Sequence, residues 1–473
     1  MERPSSDLTA AHLERVRAWY DGAPAELKPA SLGYRVMLAH YYGLLIPPEA
    51  SVLEIGCGSG ELLRRLRARR RVGVDLSSKQ IEAARRRAPD CEFHVQAGEE
   101  LDLSERFDFI IISDTLNYAA DVQAMLERLH GVAHPGTRLV VNYFSALWRP
   151  VLALARSMGL KSHEPQSNWL TTGDVIGLMA LADWSPLVVQ PRILCPLRLA
   201  GAGTFLNRWL SPFLSWFCVT VFCVARPLRG IETGPLTVSV VIPARNEAGN
   251  IEAAVKRTPE MGAGTELIFV EGHSKDGTWA EIERVARESP GRRIKTLKQP
   301  GRGKGDAVRA GFAAAAGDLF MILDADLTLP PEELPKFYAA VASGRAEFAN
   351  GSRLVYPMEK AAMRFLNMCA NKAFGMLFTW FLGQSLKDTL CGTKVLRRAA
   401  YERIAANRAY FGDFDPFGDF DLLFGAARLN LKIVDIPVRY RERTYGTTNI
   451  QRWQHGWLLL RMLFFAARKL KFV

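Results

Sequence analysis

The sequence has few of the features that mark secreted, zinc-binding or membrane-spanning proteins. Its seven cysteines form no C-x-x-C pair, so the spacing indicates neither a zinc site nor a disulfide framework and favours a reducing compartment. The N-terminus has no basic segment followed by an apolar one, so no signal peptide is indicated. The longest apolar run, residues 209–225, is broken by Pro212 and lies at the lower limit for crossing a bilayer. We therefore predict a buried strand hairpin in that run and a cytoplasmic protein.

Acidic residues are outnumbered by basic ones most strongly in the second half of the chain. The formal net charge is +12, and residues 237–473 hold 35 basic against 25 acidic residues, whereas residues 1–236 hold 26 against 24. A basic surplus beside apolar stretches suits phosphorylated substrates, anionic lipids or nucleic acid. The basic residues are not organised with base-stacking aromatic residues, so we predict no nucleic-acid partner.

Short apolar strands alternate with helical stretches twice along the chain, a pattern typical of α/β domains with parallel sheets. A segment rich in proline, glycine and charge separates the two series. We predict an N-terminal Rossmann-like domain in residues 1–228, a linker in 229–236 and a second Rossmann-like domain in 237–473. The predicted strands cover residues 51–55, 71–75, 92–96, 107–113, 138–143, 238–243, 266–271, 293–297, 319–324 and 432–438.

The first half carries a glycine-rich turn at the end of its first predicted strand. Gly56, Gly58 and Gly60 allow the backbone to approach a ligand closely, and we expect an amphipathic helix to follow with the basic residues of 64–71 on its solvated face. The next strand ends in Asp75, a position from which a carboxylate can accept both hydroxyls of a ribose. The spacing is G-x-G-x-G, which differs from the G-x-G-x-x-G of dinucleotide-binding folds.

This half resembles the class I S-adenosylmethionine-dependent methyltransferases over nearly its whole length. The motifs that carry the resemblance are, in order, 54–60, Asp75, 96–101, 107–117 and 135–141. The resemblance implies S-adenosylmethionine on the glycine loop with Glu54, its ribose on Asp75, its adenine near Gly98 and Glu99, and Asp114 on the methionine or acceptor side. A nicotinamide- or flavin-binding domain, or a methyltransferase-like scaffold without activity, is the alternative.

The second half contains two carboxylates at the end of an apolar strand, Asp324 and Asp326. Side chains at i and i+2 where a strand opens into a loop can both reach one hard cation, and Mg²⁺ or Mn²⁺ prefers such oxygen ligands and can hold a diphosphate. A D-x-D pair alone is common and is often only a solvated loop end. Lys304 opens a predicted helix, where its charge and free backbone N–H groups can face an anion.

Residues 237–450 resemble glycosyltransferase family 2, and within it the polyprenyl- and dolichol-phosphate sugar transferases. The motifs are 240–247, 269–278, 303–311, 321–331, 351–353 and 388–394. The resemblance implies a GT-A fold, a nucleotide-sugar donor and an inverting reaction. Its residues carry over as Pro243, Glu247, Glu271 and Asp276 for the nucleoside, Lys304 for the phosphates, Asp324 and Asp326 for the metal and diphosphate, and Arg353, Arg364 and Arg443 for phosphate oxygens.

Several positions depart from this family pattern. Arg245 stands where the family has a tyrosine, Gly272 where it has an aspartate, and Thr328 where a glutamine often follows the carboxylate pair. These departures leave the choice between GDP and UDP donors open. They do not affect the pair itself.

Two late segments, residues 361–383 and 453–473, are rich in aromatic and aliphatic residues, and the second of them is also basic. Neither holds an uninterrupted run near the spanning length, so we predict that they lie on the inner face of the membrane as a peripheral contact. A helical subdomain core or a dimer seam is the alternative, and the sequence does not indicate the oligomeric state.

The sequence as a whole predicts a metal-dependent glycosyltransferase that moves a sugar onto a polyprenyl phosphate, fused to a methyltransferase. The alternative is that methyl transfer to a quinone or lipid-linked sugar is the main activity and that the glycosyltransferase uses a saccharide acceptor. In that case Asp421 is a candidate for the catalytic base.

Overall fold

The computed structural model describes residues 6–24, 26–158, 168–197, 201–231, 233–356, 365–408, 419–443, 445, 460–465 and 467–472. The chain divides into two compact units, which we call unit 1 (Met1–Ile231 together with Phe472) and unit 2 (Glu232–Lys471). The domain limits 1–228 and 237–473 and the linker 229–236 stay predictions. Among the helices in the described ranges, none is long and apolar enough to cross a membrane.

Unit 1 is a seven-stranded sheet with helices around it, as the alternating pattern predicts. Its elements are α1 (Ser6–Gly22), α2 (Pro29–Leu45), β1 (Ser51–Ile55), β2 (Arg70–Asp75), α3 (Ser78–Arg87), β3 (Glu92–Val95), β4 (Phe107–Ser113), α4 (Val122–Arg128), β5 (Ala133–Phe144), α5 (Arg149–Ser157), α6 (Thr172–Leu181), β6 (Trp184–Ile193), α7 (Ala202–Phe205) and β7 (Thr220–Pro227). The strand order is β3-β2-β1-β4-β5-β7-β6, with β7 antiparallel to both of its neighbours.

Both faces of this sheet are buried, because apolar residues occupy consecutive positions in the central strands. Leu53 and Ile110 pack into one core, whereas Val52 and Ile111, one residue away in each strand, pack into the core on the opposite face. Successive side chains of a strand point to opposite faces, so a continuous apolar run specifies a strand covered on both sides. The carboxyl ends of β1, β2 and β4 therefore meet at one edge, with the glycine loop after β1.

The prediction of a helix after the glycine loop is wrong. Only one short 3-10 turn, Leu63–Arg65, follows the loop, and the chain enters β2 at Arg70. The segment between Gly60 and β2 is too short for several helical turns and a connection, and Leu66 already has extended backbone angles. Its leucines are buried because the turn packs against the sheet, and they do not form one stripe of a helix.

The strand hairpin predicted over residues 209–225 is also wrong in its first half. Only Thr220–Pro227 is a strand, and the residues before it form short helical turns, among them Leu206–Leu210 and Ser215–Phe217. The strand partner of β7 in this part of the sheet is β6, which lies earlier in the chain. A run that is apolar throughout cannot distinguish strand from helix by periodicity alone.

Unit 2 is a second seven-stranded sheet, and its strand order is β10-β9-β8-β11-β13-β12-β14. Its elements are β8 (Val238–Ala244), α8 (Ile251–Arg257), β9 (Thr265–Glu271), α9 (Thr278–Glu288), β10 (Arg293–Lys298), α10 (Lys304–Ala314), β11 (Leu319–Ile322), α11 (Leu334–Ala342), β12 (Phe348–Ser352), α12 (Phe365–Leu382), β13 (Lys394–Arg397), α13 (Arg398–Ala406), α14 (Asp419–Arg428) and β14 (Ile433–Pro437). The predicted fold class, two α/β units, is confirmed.

Two strands of unit 2 carry no strand pattern in the sequence. The sequences of β12, FANGS, and β13, KVLR, are short and contain polar residues, yet both strands are almost wholly buried. Strand β13 runs antiparallel between β11 and β12, so both of its edges are paired. These segments form strands because neighbouring strands pair with them on both sides. The intrinsic strand preference of their residues does not determine this.

Candidate active sites in the two units

A cleft of about 760 Å³ opens in unit 2 at the carboxyl ends of β8, β9 and β11, next to the start of α10. Open α/β sheets bind their ligands at this edge because the strand ends and helix starts converge there. The lining residues are Pro243, Ala244, Arg245, Glu247, Val270, Gly272, His273, Gln299, Arg302, Gly303, Lys304, Ala307, Asp324, Ala325, Asp326 and Arg443. The cleft is therefore polar and charged at one end and apolar along the first two strands.

The two carboxylates of the D-x-D pair both line the cleft, and each is paired with a cation. The Lys304 ammonium lies 2.6 Å from an oxygen of Asp324, and the Arg443 guanidinium lies 2.6 Å from an oxygen of Asp326. Loss of water around Asp324 raises the pKa of its carboxyl, but the charges of Lys304, Lys394 and Arg353 outweigh this effect and hold it below its usual value. Asp324 is therefore an anion at neutral pH.

Arg443 also contacts the nucleoside side of the cleft. Its other terminal nitrogen donates to Glu247 at 3.0 Å, so one guanidinium bridges Glu247 and Asp326. Burial raises the pKa of Glu247, and the charge of Arg443 opposes that rise. The second oxygen of Asp326 accepts from both the backbone N–H and the hydroxyl of Thr328, which fixes the carboxylate plane.

A glycine without a Cβ makes room for the pair. A Cβ added to Gly392 would lie 2.1 Å from an oxygen of Asp324 and 2.3 Å from the Lys304 ammonium. The 388–394 motif thus passes close to the carboxylate, and only a glycine fits there without displacing the ion pair.

Arg353 forms an ion pair with Asp388. It does not line the cleft, and its guanidinium donates two bonds, at 2.7 and 2.9 Å, to Asp388, whose side chain is fully buried. Its backbone N–H donates to the same carboxylate at 3.0 Å. Burial opposes the charge of Asp388, but Arg353 holds the pKa of that carboxyl below its usual value. Arg364 lies outside the described residues.

The remaining nucleoside residues lie around the base of the cleft. Pro243 lines the cleft, whereas Glu271 is buried behind it and accepts from the backbone N–H of Ser274 at 2.5 Å. Asp276 accepts from the backbone N–H of Thr278 at 3.1 Å and from the hydroxyl of Tyr445 at 3.4 Å. Asp276 therefore braces the start of α9, and it does not line the cleft.

Sequence reasoning missed part of the cleft wall, namely His273, Gln299 and Arg302. His273 has φ of 57° and its ring contacts the carbonyl of Gly301 at 2.9 Å, while Gln299 donates to the carbonyl of Gly303 at 2.7 Å. The His273 contact holds the loop after β9 against the loop after β10, and the Gln299 bond lies within the loop after β10. The signal that could have found them is their position directly after predicted strands, at the edge where parallel strands end.

In unit 1 the glycine loop is held by the carboxylate of the next strand. Asp75 accepts from the backbone N–H of Gly58 at 2.8 Å and from that of Ser77 at 2.9 Å. Burial raises the pKa of this carboxyl, and the two backbone donors oppose the rise. Gly58 has φ of 52°, and a Cβ built there meets nothing within 4 Å, so the loop leaves open space beside it.

Three further predicted residues surround this loop. Glu54 is buried with one carboxylate oxygen lacking any hydrogen-bond partner, and burial raises the pKa of its carboxyl to about 8, with Arg35 opposing the rise. Gly98 packs so closely against Met125 that a Cβ would lie 2.7 Å from the sulfur. Glu99 accepts from the backbone N–H of Ala120 at 2.8 Å and so joins the loops after β3 and β4.

Asp114 is the centre of a polar network that the sequence did not reveal. Its carboxylate accepts from Asn142 at 2.6 Å and from the hydroxyl of Tyr34 at 3.4 Å, and the Arg35 guanidinium lies 3.7 Å away. The backbone of Asp114 has φ of 58°, a conformation that non-glycine residues rarely adopt. Tyr34 and Arg35 come from α2, far from the motifs in sequence, so only the fold brings them to this edge.

No group of three or more histidine, cysteine, aspartate or glutamate side chains within the described ranges is close enough to hold a metal ion. Asp324 and Asp326 still fit a divalent cation, because both are oxygen donors in an open cleft and both already attract a positive group.

Known proteins resemble the two units separately. Residues 239–405 match the family description "Glycosyl transferase family 2", and residues 46–171 match "Methyltransferase domain". The dolichol-phosphate mannosyltransferase of Pyrococcus furiosus is 29% identical over 222 residues, which cover 46% of this chain and 60% of that protein. The undecaprenyl-phosphate 4-deoxy-4-formamido-L-arabinose transferase of Edwardsiella ictaluri is 41% identical over 216 residues, which cover 44% of this chain and 61% of that protein.

The matched region therefore spans about three fifths of the length of these two curated relatives. Among solved structures, a methyltransferase of Thermotoga maritima, titled as S-adenosylmethionine-dependent and a possible histamine N-methyltransferase, is 20% identical. The alignment covers 46% of this chain and 98% of that one, with a TM-score of 0.34.

Proposed function

Because residues 46–171 belong to a methyltransferase family and residues 239–405 to glycosyltransferase family 2, we propose that the chain carries two transferase activities. Unit 2 transfers a sugar from a nucleotide-sugar to a polyprenyl phosphate, and unit 1 transfers a methyl group from S-adenosylmethionine. The observation that carries the first proposal is the pair Asp324 and Asp326, each held by a cation at the mouth of the unit 2 cleft.

Asp324 and Asp326 are the residues that would hold Mg²⁺ or Mn²⁺. When bound there, the ion supplies positive charge to the diphosphate that leaves the sugar. Lys304 and Arg443 line the same cleft as the two carboxylates, so their charges would be available to the phosphates if an ion held the carboxylates. Two cations at that place would stabilise the charge that builds up on the leaving group as the glycosidic bond breaks.

The proposed reaction needs no proton transfer at the acceptor. An oxygen of the acceptor phosphate forms a bond with the anomeric carbon of the sugar, and the bond from that carbon to the β-phosphate oxygen breaks. The electron pair leaves with the nucleoside diphosphate. The acceptor is already an anion, so the task of the protein is to hold two negative groups together in line and to exclude water. Arg443 and Arg302 provide the positive charge for this at the cleft.

The position of Asp421 favours a phosphate acceptor over a hydroxyl acceptor. A hydroxyl needs a general base, and Asp421 is the candidate that the sequence offers. In the structure Asp421 accepts from Arg408 at 2.8 Å, its side chain is nearly buried, and it is absent from the cleft lining. An ion-paired carboxylate away from the reacting space is poorly placed to take a proton from an acceptor.

The experiment for unit 2 measures radiolabelled sugar entering the organic phase from a panel of nucleotide-sugars with polyprenyl phosphate. We expect transfer in the presence of Mg²⁺ or Mn²⁺, loss of transfer with a chelator, and loss of transfer in the variant that combines Asp324→Asn with Asp326→Asn. The variant Asp421→Asn is the matched control and should keep transfer to polyprenyl phosphate. Full activity in the double variant would contradict the assignment of the pair.

For unit 1 we propose that the glycine loop and Asp75 bind S-adenosylmethionine. The open space at Gly58, the remaining lone pairs of Asp75 and the unsatisfied oxygen of Glu54 support this proposal. Asp114, held by Asn142 and Tyr34, is placed to orient the methyl acceptor or the methionine end of the cofactor. Calorimetry with S-adenosylhomocysteine tests it, and absence of heat at millimolar ligand would refute it.

We also propose that unit 2 lies on the inner face of the membrane as a peripheral protein, since its acceptor has a lipid tail. Within the described part of the two predicted segments, Met376 is 68% exposed on α12 and Phe464 is also exposed. The Lys471 ammonium lies 5.1 Å from the ring centroid of Trp380 on α12, so a cation flanks the aromatic residue as it does in interfacial segments. Residues 361–364, 453–459, 466 and 473 of these segments lie outside the described ranges.

A further inference from the structure

Unit 1 exposes an apolar strip along α5 and its flanking residues. Leu147, Val151, Leu154 and Met158 are all exposed, with Leu154 at 60%, and they follow each other at steps of four, three and four residues. At 100° per residue this spacing places the four side chains on one face of a helix. Soluble proteins normally cover such a face, so its exposure indicates a partner.

A second apolar segment lies beside the strip. Residues 205–217 expose Phe205, Leu214, Trp216 and Phe217, and Trp216 is 83% exposed. The indole N–H of Trp148 donates to the carbonyl of Phe217 at 3.0 Å, which joins the two segments. Together the exposed residues of 147–158 and 205–217 form one region, which we call the apolar surface.

The apolar surface lies at the edge of the unit 1 sheet where the carboxyl ends of β1, β2 and β4 meet, which we call the methyl-transfer edge. The strip follows the carboxyl end of β5, and the second segment leads into the start of β7, where Phe144 pairs with Thr220. The hydroxyl of Tyr34 contacts that of Thr220 at 3.0 Å and also donates to Asp114. The surface therefore adjoins the network around Asp114 and lies at the same edge as the glycine loop.

The charge of the two segments is of one sign. Residues 146–158 and 201–217 contain three arginines, at positions 149, 156 and 208, and no aspartate or glutamate. Arg149 lies 5.4 Å from the ring centroid of Trp169, and Arg208 lies 5.5 Å from that of Trp209. A surface that combines aromatic and aliphatic side chains with cations and lacks acids is complementary to anionic lipid headgroups over an acyl layer.

We propose that the apolar surface docks unit 1 on an anionic lipid bilayer. Its aromatic and aliphatic side chains enter the boundary between headgroups and acyl chains, and Arg149 and Arg208 contact the headgroups. Docking brings the edge that carries the glycine loop and Asp114 to the membrane, so the methyl acceptor is presented at the lipid surface. That consequence rests on the proposed methyl transfer, whereas the docking itself does not.

The test measures the full chain on vesicles of phosphatidylglycerol and phosphatidylcholine in equal parts, and on vesicles of phosphatidylcholine alone. Hydrogen exchange followed by mass spectrometry should show slower exchange in peptides from 147–158 and 205–217 with the anionic vesicles. Co-sedimentation should show that Leu154→Glu and Trp216→Glu each lower the partition coefficient by at least about tenfold, because a large apolar side chain no longer enters the lipid.

Leu181→Glu is the matched control. Leu181 is 67% exposed, so the same charge is introduced at the same exposure, but it lies at the end of α6, before the start of β6 and away from the methyl-transfer edge. The vesicle partition coefficient of Leu181→Glu should equal that of the parent chain. Met376→Glu reports separately on α12 of unit 2, so binding through unit 2 is distinguished from binding through unit 1.

Three results would overturn the proposal. The first is vesicle binding without protection of 147–158 and 205–217. The second is equal behaviour of Leu154→Glu and Leu181→Glu. The third is that the parent chain binds no vesicles but self-associates, and that Leu154→Glu abolishes this self-association. A second copy of the chain would then be the occupant of the surface. Failure of sugar or methyl transfer would not alter any of these readouts, so the two sets of proposals fail independently.

Discussion

Gly392→Ala gives the sharpest test of how the carboxylate pair is positioned. The added Cβ would lie 2.1 Å from an oxygen of Asp324 and 2.3 Å from the Lys304 ammonium, whereas Cβ contacts below 3.0 Å essentially never occur. The carboxylate must therefore move by about 0.9 Å or more, while the backbone of residue 392, which has no positive φ, tolerates alanine. A misplacement near 1 Å costs about 100-fold in rate, or about 2.7 kcal/mol in transition-state stabilisation.

The assay is sugar transfer to polyprenyl phosphate, measured as kcat/KM for the donor and as the metal concentration that gives half-maximal rate. Gly291→Ala is the control, because a Cβ built there meets nothing within 4 Å and the residue precedes β10, at the opposite end of that strand from the cleft residue Gln299. We expect Gly392→Ala to fall about 100-fold in kcat/KM at an unchanged thermal midpoint. A rate within threefold of the parent would refute the argument that the position of Asp324 limits the reaction.

Three further outcomes follow from buried groups. Arg353→Met should lower the free energy of unfolding by about 3–5 kcal/mol in urea denaturation, because it leaves the fully buried Asp388 carboxylate without its cation. Burial raises the pKa of Glu54 from an ordinary 4.5 to about 8. Between these two pH values the folded chain keeps a proton that the unfolded chain releases. The free energy of unfolding should therefore fall as pH rises from about 4.5 to about 8. Glu54→Gln should remove that part of the slope. Asp75→Ala should weaken S-adenosylhomocysteine binding about 100-fold in calorimetry, because the backbone N–H of Gly58 loses the carboxylate that accepts its hydrogen bond, while sugar transfer is unchanged.

Each of these outcomes has a control within the chain. Arg345 is exposed, so Arg345→Met should change the unfolding free energy by less than about 0.5 kcal/mol, and an equal loss in both arginine variants would contradict the ion-pair argument. An unfolding free energy with the same pH slope in the parent and in Glu54→Gln would show that Glu54 keeps its ordinary pKa. Unaltered cofactor binding in Asp75→Ala would exclude Asp75 from the site.

The family resemblance of both halves and the α/β fold class could be read from sequence and are confirmed. The reason is local: apolar strands that end in glycines or carboxylates give a signal within a few residues, and parallel strands place those ends at one edge. Asp324, Asp326, Lys304 and Glu247 accordingly come together in one cleft. The roles assigned to them remain proposals.

The sequence could not predict which side chains meet when they lie far apart in the chain. Arg353 follows a strand end, as the cleft residues do, yet it is buried against Asp388, 35 positions later, and only the packing of β12 beside β13 decides this. Likewise, the helix expected after Gly60 is absent because β2 begins too soon, which is a matter of available length and sheet pairing.

Taken by itself, the sequence determined which strand ends carry chemistry, since composition and spacing fix the backbone locally. Tertiary structure alone decided which partners those side chains meet. Arg443 bonds to Asp326 and Glu247, which lie 117 and 196 positions away in the sequence. Tyr34 bonds to Asp114, which lies 80 positions away. It also decided that the apolar residues of 205–217 are exposed and not buried in a hairpin. Burial and ion pairing depend on what folds against a segment, and a segment's own residues do not contain that information.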